Sequence, residues 1–277
     1  MHLGFPRDYL LPAAFVPDLE PDVIAIISDL HSNIEALTAA MAEAKRRGAK
    51  RIVCLGDVIG YGASPRETLQ IVRQKCEWCI FGNHEEALLN GGEDFNDKAR
   101  AAIDWTRQQL SSRDFPREEN YAIWDFLDAL QNEKERREEN ALFVHGSPFD
   151  PVREYVMPRD ARNPEKMARI FAKQDRPICF VGHSHVPGVY TQDGRFLKPA
   201  EVSDSFHATE YGAKVLVNVG SVGQPRDGDI RLSFVMYDGK DRVDFVRIPY
   251  DAEKAAARIR AVPALPEYLA NRLLVGR

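Results

Sequence analysis

A chain of 277 residues, 44% hydrophobic and 29% charged, has ordinary globular composition, which excludes low-complexity and collagen-like chains. Its 37 basic against 42 acidic side chains give a net charge of -5, so no global field holds nucleic acid non-specifically. No apolar run approaches the roughly 18 residues of a membrane span, and the 4 cysteines are too scattered for a disulfide framework.

Residues 1–21 read as an N-terminal arm, because Pro6, Pro12, Pro17 and Pro21 interrupt every helix. The opening Met1-His2-Leu3-Gly4-Phe5-Pro6 lacks the layout of a signal peptide, so a cytoplasmic protein is expected. Val23 to Ile27 is an apolar run that predicts a strand buried on both faces. Ser32 and Glu35 then read as a capping box for a helix carrying Ile34, Leu37, Met41 and Ala44, stopped at Gly48. Ile52–Leu55 predicts a second strand, Ser64-Pro65 a second helix, and Cys79–Phe81 a third strand. This alternation implies right-handed crossovers and a largely parallel sheet.

Helices are predicted at Asn96–Leu110 and about Glu118–Leu130. The mixed-charge run Glu133–Glu139 is solvated, either as a helix end or as the outer strand of a hairpin with Ala141–Val144. A helix runs from Asn163-Pro164 to Lys173, and strands follow at Ile178–Val181, Gly188–Tyr190, Val215–Val219, Leu232–Tyr237 and Val243–Ile248. Consecutive strands without intervening helices suggest antiparallel pairing in this half. Asp251 caps a further helix, and Leu265–Leu274 forms the last. One α/β domain over 22–277 accounts for the whole pattern.

Five predicted strands end in metal-binding residue types: Asp29 with His31, Asp57, Asn83 with His84, His145, and His183 with His185. A single histidine after a strand is ordinarily a surface residue. Loop histidines have no reason to recur at one structural position five times, and strand carboxyl ends are where ligands collect in open α/β sheets. Carboxylates, imidazoles and one amide suit Mn, Fe, Zn, Ni or Co. Seven such groups, counted without His84, exceed the needs of one tetrahedral ion and match two ions sharing a carboxylate. Two dications against Asp29 and Asp57 leave a local charge of about +2 that attracts phosphate oxygens.

The ordered set Asp29-x-His31, Gly56-Asp57, Gly82-Asn83-His84-Glu85, His145-Gly146 and Gly182-His183-Ser184-His185 resembles the calcineurin-like metallophosphoesterase superfamily. Gly56-Asp57-Val58-Ile59-Gly60-Tyr61-Gly62 and Gly220-Ser221-Val222-Gly223-Gln224-Pro225-Arg226 are similar to its small bacterial and archaeal phosphodiesterase branch. The resemblance implies a four-layer α/β/β/α sandwich with a metal pair at the strand ends. By position, Asp29, His31 and His185 would hold one divalent transition-metal ion, Asn83, His145 and His183 the other, with Asp57 bridging. His84 would act on the substrate rather than on a metal. Two ions about 3.5–4 Å apart would grip the phosphoryl group and activate a water for in-line attack.

One departure from the pattern matters. Protein phosphatases and diadenosine tetraphosphatases of this superfamily continue the second motif as Gly-Asp-x-x-Asp-Arg-Gly, whereas Gly60 and Tyr61 stand here. The lost Asp would orient the catalytic histidine and the lost Arg would bind a dianionic phosphate, which tilts the expectation toward diesters. Arg226 could supply that charge from another loop, and Asn33 is a second candidate near the substrate. The expected partner is a small phosphate ester, with no membrane; homo-oligomerisation is left open. A phosphomonoesterase, a dinucleoside polyphosphate hydrolase and a non-catalytic binding scaffold on the same fold are the alternatives. Residues 90–140 and 187–213 are expected to shape the pocket, and His207 to decorate a loop. Cys76-x-x-Cys79 lacks the second pair of a zinc site, so the strand cysteines read as small buried hydrophobes. Gly182-x-Ser184-x-Val186 lacks the second glycine of a nucleophile elbow.

Overall fold

Period-two burial organises the first half of the chain. In β1 (Ile24–Ile27), Ile24 and Ile26 face one hydrophobic cluster while Ala25 and Ile27 face another. The computed structural model describes residues 22–93 and 95–277; the proline-rich arm expected over 1–21 lies outside them. Helix α1 (Ile34–Arg46) covers the outer face with Ala36, Leu37, Ala40 and Ala44. Its cap differs from expectation. Asn33, not Ser32, accepts the bond from the Ala36 N–H, at 3.1 Å, and Glu35 pairs with Arg258 instead.

The expected order continues through β2 (Arg51–Cys54), α2 (Pro65–Lys75) and β3 (Trp78–Cys79). A helix not anticipated from the sequence, α3 (Asn83–Asn90), starts within the third motif. Then come α4 (Asp97–Leu110) and α5 (Arg117–Leu130). The charged run forms β4 (Glu135–Arg137), the exposed outer strand of a hairpin with β5 (Ala141–Val144). After α6 (Pro164–Lys173) come β6 (Ile178–Val181), β7 (Gly188–Thr191), β8 (Phe196–Leu197), β9 (Ser205–His207), β10 (Val215–Asn218), β11 (Leu232–Tyr237) and β12 (Arg242–Ile248). Helices α7 (Ala252–Arg260) and α8 (Glu267–Leu273) complete the described chain, with Asp251 capping α7 as expected.

The strands form two six-stranded sheets, ordered β3-β2-β1-β11-β12-β9 and β4-β5-β6-β10-β7-β8. Between the sheets, Ile24, Ile26, Val53 and Val235 meet Phe143, Phe180, Val215 and Val217. Each fully buried side chain of this kind contributes roughly 1.5–3 kcal/mol of transfer free energy. On the outer faces, α1 and α2 cover the first sheet, and Met167, Ile170 and Phe171 of α6 pack on Leu142, Cys179 and Leu216 of the second. This is the four-layer α/β/β/α sandwich expected.

Each sheet contains one parallel trio, β1-β2-β3 and β5-β6-β10; the remaining pairings are antiparallel. The motif residues follow the carboxyl ends of these parallel strands. Cys54, Cys79 and Cys179 are buried and Cys76 is half-buried. His207 is exposed on edge strand β9, against Asp241.

Candidate metal centre

The motif loops are tied to one another by their backbones. The Asp29 N–H donates to Gly56 O at 3.1 Å, that of His31 to Asp57 O at 3.0 Å, and that of Gly223 to Asp29 O at 2.9 Å. Among the described residues, nine non-glycine residues have positive φ. Seven of them stand here: Asp29, His31, Ser32, Asp57, Tyr61, His183 and His185. Such conformations cost on the order of 1–3 kcal/mol each and persist only where surrounding structure over-determines them.

The imidazoles share one hydrogen-bonding rule. Each turns one ring nitrogen outward to a backbone carbonyl: His31 Nδ1 to Ile59 O at 3.1 Å, His145 Nδ1 to Leu55 O at 2.8 Å, His183 Nε2 to Arg153 O at 3.1 Å, and His185 Nδ1 to Gln224 O. A carbonyl only accepts, so the outward nitrogen carries the hydrogen and the inward one keeps its lone pair. The inward nitrogens converge. His31 Nε2 lies 3.1 Å from His185 Nε2, and His145 Nε2 lies 3.1 Å from His183 Nδ1. Two facing lone pairs repel unless positive charge sits between them.

Oxygens complete two clusters. Asp29 Oδ1 lies 3.1 Å from His185 Nε2, and Asn83 Oδ1 lies 3.1 Å from His145 Nε2. Asp57 Oδ2 is 3.8 Å from His31 Nε2 and 3.3 Å from His145 Nε2, so it belongs to both groups. Asp29, His31, Asp57 and His185 form one set able to hold a metal ion, and Asp57, His145 and His183 another. The donor set fits cations: imidazoles and carboxylates, all buried, and the amide oxygen of half-buried Asn83.

The electrostatics point the same way. Burial alone would raise the Asp57 carboxyl, but the imidazoles of His145 and His84 outweigh it and hold the group well below the usual carboxylate range. Burial and neighbouring histidines push His31 well below its ordinary value, and burial with His145 pushes His183 down to about 3. These rings are neutral and free to ligate. His145 is opposite: burial works against its charge, yet Asp57 and Asp29 push it up to about 10, so without a cation its inward nitrogen holds a proton, which a metal ion would displace to free the lone pair. The two carboxylates draw positive charge to this point.

His84 stands apart from the donor clusters, its Nε2 4.0 Å from Asp57 Oδ2. Its Nδ1 is buried with no hydrogen-bond partner among the described residues. Ring packing orients it instead: Tyr61 at 4.5 Å, His31 at 4.6 Å and Phe95 at 4.9 Å between centroids. Gly60 makes this packing feasible, because a Cβ there would stand 2.1 Å from His84 Nδ1. Burial pushes His84 down to about 4, so the ring is neutral.

The structure thus brings all seven candidate ligands and His84 together. Asn33 is not turned toward this centre: its Oδ1 caps α1 and its Nδ2 donates to Gly223 O at 2.8 Å, so both polar ends serve the scaffold. Arg226 is half-buried beside Tyr61, 5.7 Å from its ring centroid, and donates to Gln224 Oε1. A cavity of about 250 Å³ adjoins the centre, lined by Tyr61, Asn83, Phe95, Tyr155 and His183 among others. The stretch 90–140 contributes to it, through Gly91 to Ala99, whereas no residue of 187–213 does; Arg153 and Tyr155 take that place. Sequence reasoning also missed the function of Glu85. Its buried carboxylate accepts from the N–H groups of Asp57, Val58, Ile59 and Gly82 at 2.9, 2.9, 3.2 and 3.1 Å. The signal for it was its place beside Asn83-His84, an acid in the first turn of an unrecognised helix.

A sequence profile of the calcineurin-like phosphoesterase superfamily domain matches residues 23–242. The chain belongs to that superfamily. An uncharacterized protein of Methanocaldococcus jannaschii is 37% identical over 260 residues, covering 92% of this chain and 98% of its own. The crystal structure of a metallophosphoesterase from Sphaerobacter thermophilus shares 33% identity at a TM-score of 0.73, covering 92% of this chain and 99% of that one. A hypothetical protein of Pyrococcus horikoshii shares the fold at a TM-score of 0.69 and 18% identity, over 92% and 98% of the two chains. The superfamily's chemistry is that of phosphoric ester hydrolysis, and the Asp and His residues gathered here could bind its metal. No helix among the described residues is long and apolar enough to cross a membrane.

Proposed function

We propose that the protein is a dinuclear metal-dependent phosphoesterase acting by preference on phosphodiesters. One observation carries the reading: four buried imidazoles, their tautomers set by outward carbonyl bonds, aim lone pairs into two clusters joined by Asp57. Asp29, His31 and His185 would hold one divalent transition-metal ion, Asn83, His145 and His183 the other, with Asp57 common to both. When bound, such ions supply Lewis acidity to the phosphoryl oxygens and to an attacking water.

The chain's own groups do the rest. His84, held by Tyr61, Phe95 and Gly60, faces the centre as a neutral imidazole that stabilises charge on the phosphoryl group through its N–H. Glu85 fixes the Asp57 loop through three backbone N–H groups, so the shared carboxylate is positioned before any ligand arrives. Tyr61 replaces a phosphate-binding arginine with an aromatic wall, which favours a monoanionic diester over a dianionic monoester. Arg226 lends charge from the opposite loop.

The test is hydrolysis of bis-p-nitrophenyl phosphate against p-nitrophenyl phosphate with Mn, Ni, Co or Zn, alongside metal analysis of the purified protein. Metal-dependent turnover with a diester preference is expected. Preference for the monoester moves the assignment to a phosphatase, and no turnover with any of these metals leaves a binding scaffold.

A further inference from the structure

The cavity beside the metal centre does not end at Tyr61 and Tyr155. Those two residues, with Asn96 and Ala99, also line a second cavity of about 490 Å³. Its wall carries Lys98 from α4, Arg226 from the β10–β11 loop and Arg272 from α8, with Asp97 its single acidic residue. None of these three cations has an Asp or Glu side-chain partner among the described residues. Arg226 donates to Gln224 Oε1, Arg272 to the main-chain oxygen of Arg277, the last residue of the sequence, and Lys98 lies 3.8 Å above the Tyr268 ring. Many other basic side chains of this protein are paired: Arg51 with Glu77 and Glu138, Arg137 with Glu135 and Asp175, Arg231 with Asp229.

Guanidinium groups held close together in a half-buried wall repel one another, and burial adds a desolvation cost that an arriving anion offsets. Burial, and then the Arg226 charge, push the Arg272 guanidinium below its ordinary value. Tyr61 packs on His31 and His84, and Tyr155 stacks on His183 with centroids 3.6 Å apart, so both aromatic rings join the basic wall to the metal centre. Arg272 lies beyond residue 242, where the superfamily match ends.

We propose that Arg226, Arg272 and Lys98 form a second anion subsite, selecting phosphate esters that carry another phosphate beyond the one at the metal centre. The inference rests on the phosphoesterase reading for what occupies the first position. The shared chemistry is a pair of phosphates, which a polyphosphate chain or an organic spacer could join. Binding and turnover are therefore tested separately.

Equilibrium binding to metal-reconstituted, desalted protein is measured by calorimetry. The probes are pyrophosphate, the bisphosphates of ethane-, butane- and hexanediol, and the alkyl monophosphate matching each diol. At least one two-phosphate probe is expected to bind about tenfold or more tightly than the monophosphates. A best fit for pyrophosphate indicates a polyphosphate chain, and a best fit for a longer diol an organic spacer. In Arg272→Gln the advantage is expected to fall below about threefold. Lys98→Gln, at an exposed position that does not risk folding, is expected to reduce it in the same direction. Equal affinity across all probes, no binding of any, or an advantage that survives in both variants overturns the subsite. A bisphosphate advantage without diester hydrolysis would overturn only the catalytic reading; hydrolysis without the advantage would overturn only the subsite.

Discussion

Gly60→Ala tests how this chain orients His84 without the carboxylate found in related phosphatases. A Cβ at position 60 would stand 2.1 Å from His84 Nδ1. An ordinary contact needs about 3.5 Å, so the ring must retreat by roughly 1.4 Å. A misplacement of about 1 Å costs on the order of 10²-fold in rate, and kcat with bis-p-nitrophenyl phosphate is expected to fall by about that factor. The backbone contributes separately: φ at Gly60 is +88°, where a side chain costs about 1–2 kcal/mol, a Tm loss of a few degrees. Metal content should remain at the wild-type level, because the three atoms nearest the new methyl group all belong to the His84 ring. The decisive comparison is the double variant with His84→Ala, which removes the ring that clashes. It should be no slower than His84→Ala alone, the two changes acting through one group. A Gly60→Ala enzyme within threefold of wild type, or a double variant much slower than His84→Ala, would refute this account of His84.

His84→Ala by itself should lower kcat by about 10²–10⁴-fold with metal content unchanged; loss of metal would show that this ring is a ligand. Glu85→Gln replaces a carboxylate that accepts four backbone N–H bonds with a group able to donate. It should weaken metal affinity by about 10–100-fold in chelator competition, and unchanged affinity would mean that the Asp57 loop holds itself. Chelator treatment should lower Tm, and re-addition of metal at 100 times its Kd should restore about 2.7 kcal/mol per independent site in thermal melts. Asn33→Ala should cost about 1 kcal/mol for the helix cap and leave KM near wild type, since both of its polar ends face the scaffold. A KM rise without a stability loss would return Asn33 to the substrate.

The strand ends were legible because two local signals coincide at each of them: an apolar run that must be buried, and a titratable residue immediately after it. Neither signal depends on distant parts of the chain. What escaped was decided by tertiary contacts. Ser32 and Glu35 have the chemistry of a capping box, yet the Ser32 backbone turns to φ +54° inside the motif loop. Glu35 is drawn to Arg258 and Lys254 of α7, with Nε–Oε1 and Nζ–Oε1 distances of 2.7 and 3.7 Å, leaving Asn33 as the cap. The left-handed conformations of Asp29, His31, Asp57, His183 and His185 have no local signature either, because non-glycine residues adopt them only under external constraint.

The second half of the chain shows how far pairing direction can be read. Consecutive strands without helices suggested antiparallel pairing, and this holds for β11 with β12 and for β7 with β8. It holds on one edge only of β10, which is antiparallel to β7 but runs parallel to β6 with Val215 opposite Ile178. A parallel return needs a connection of a dozen or more residues, which is commonly but not necessarily a helix. Here the connection is β7, β8, β9 and their turns. The direction of β10 matters for the chemistry. Because it runs parallel to β6, its carboxyl end lies beside that of β6, and the loop it releases passes along the centre: Arg226 N–H reaches His185 O at 3.3 Å, and Gln224 O holds His185 Nδ1. An antiparallel β10 would carry Gly220–Arg226 to the far end of the sheet. The same reversal that local pattern could not supply is therefore what orients His185 and brings the guanidinium of Arg226 to the edge of the site.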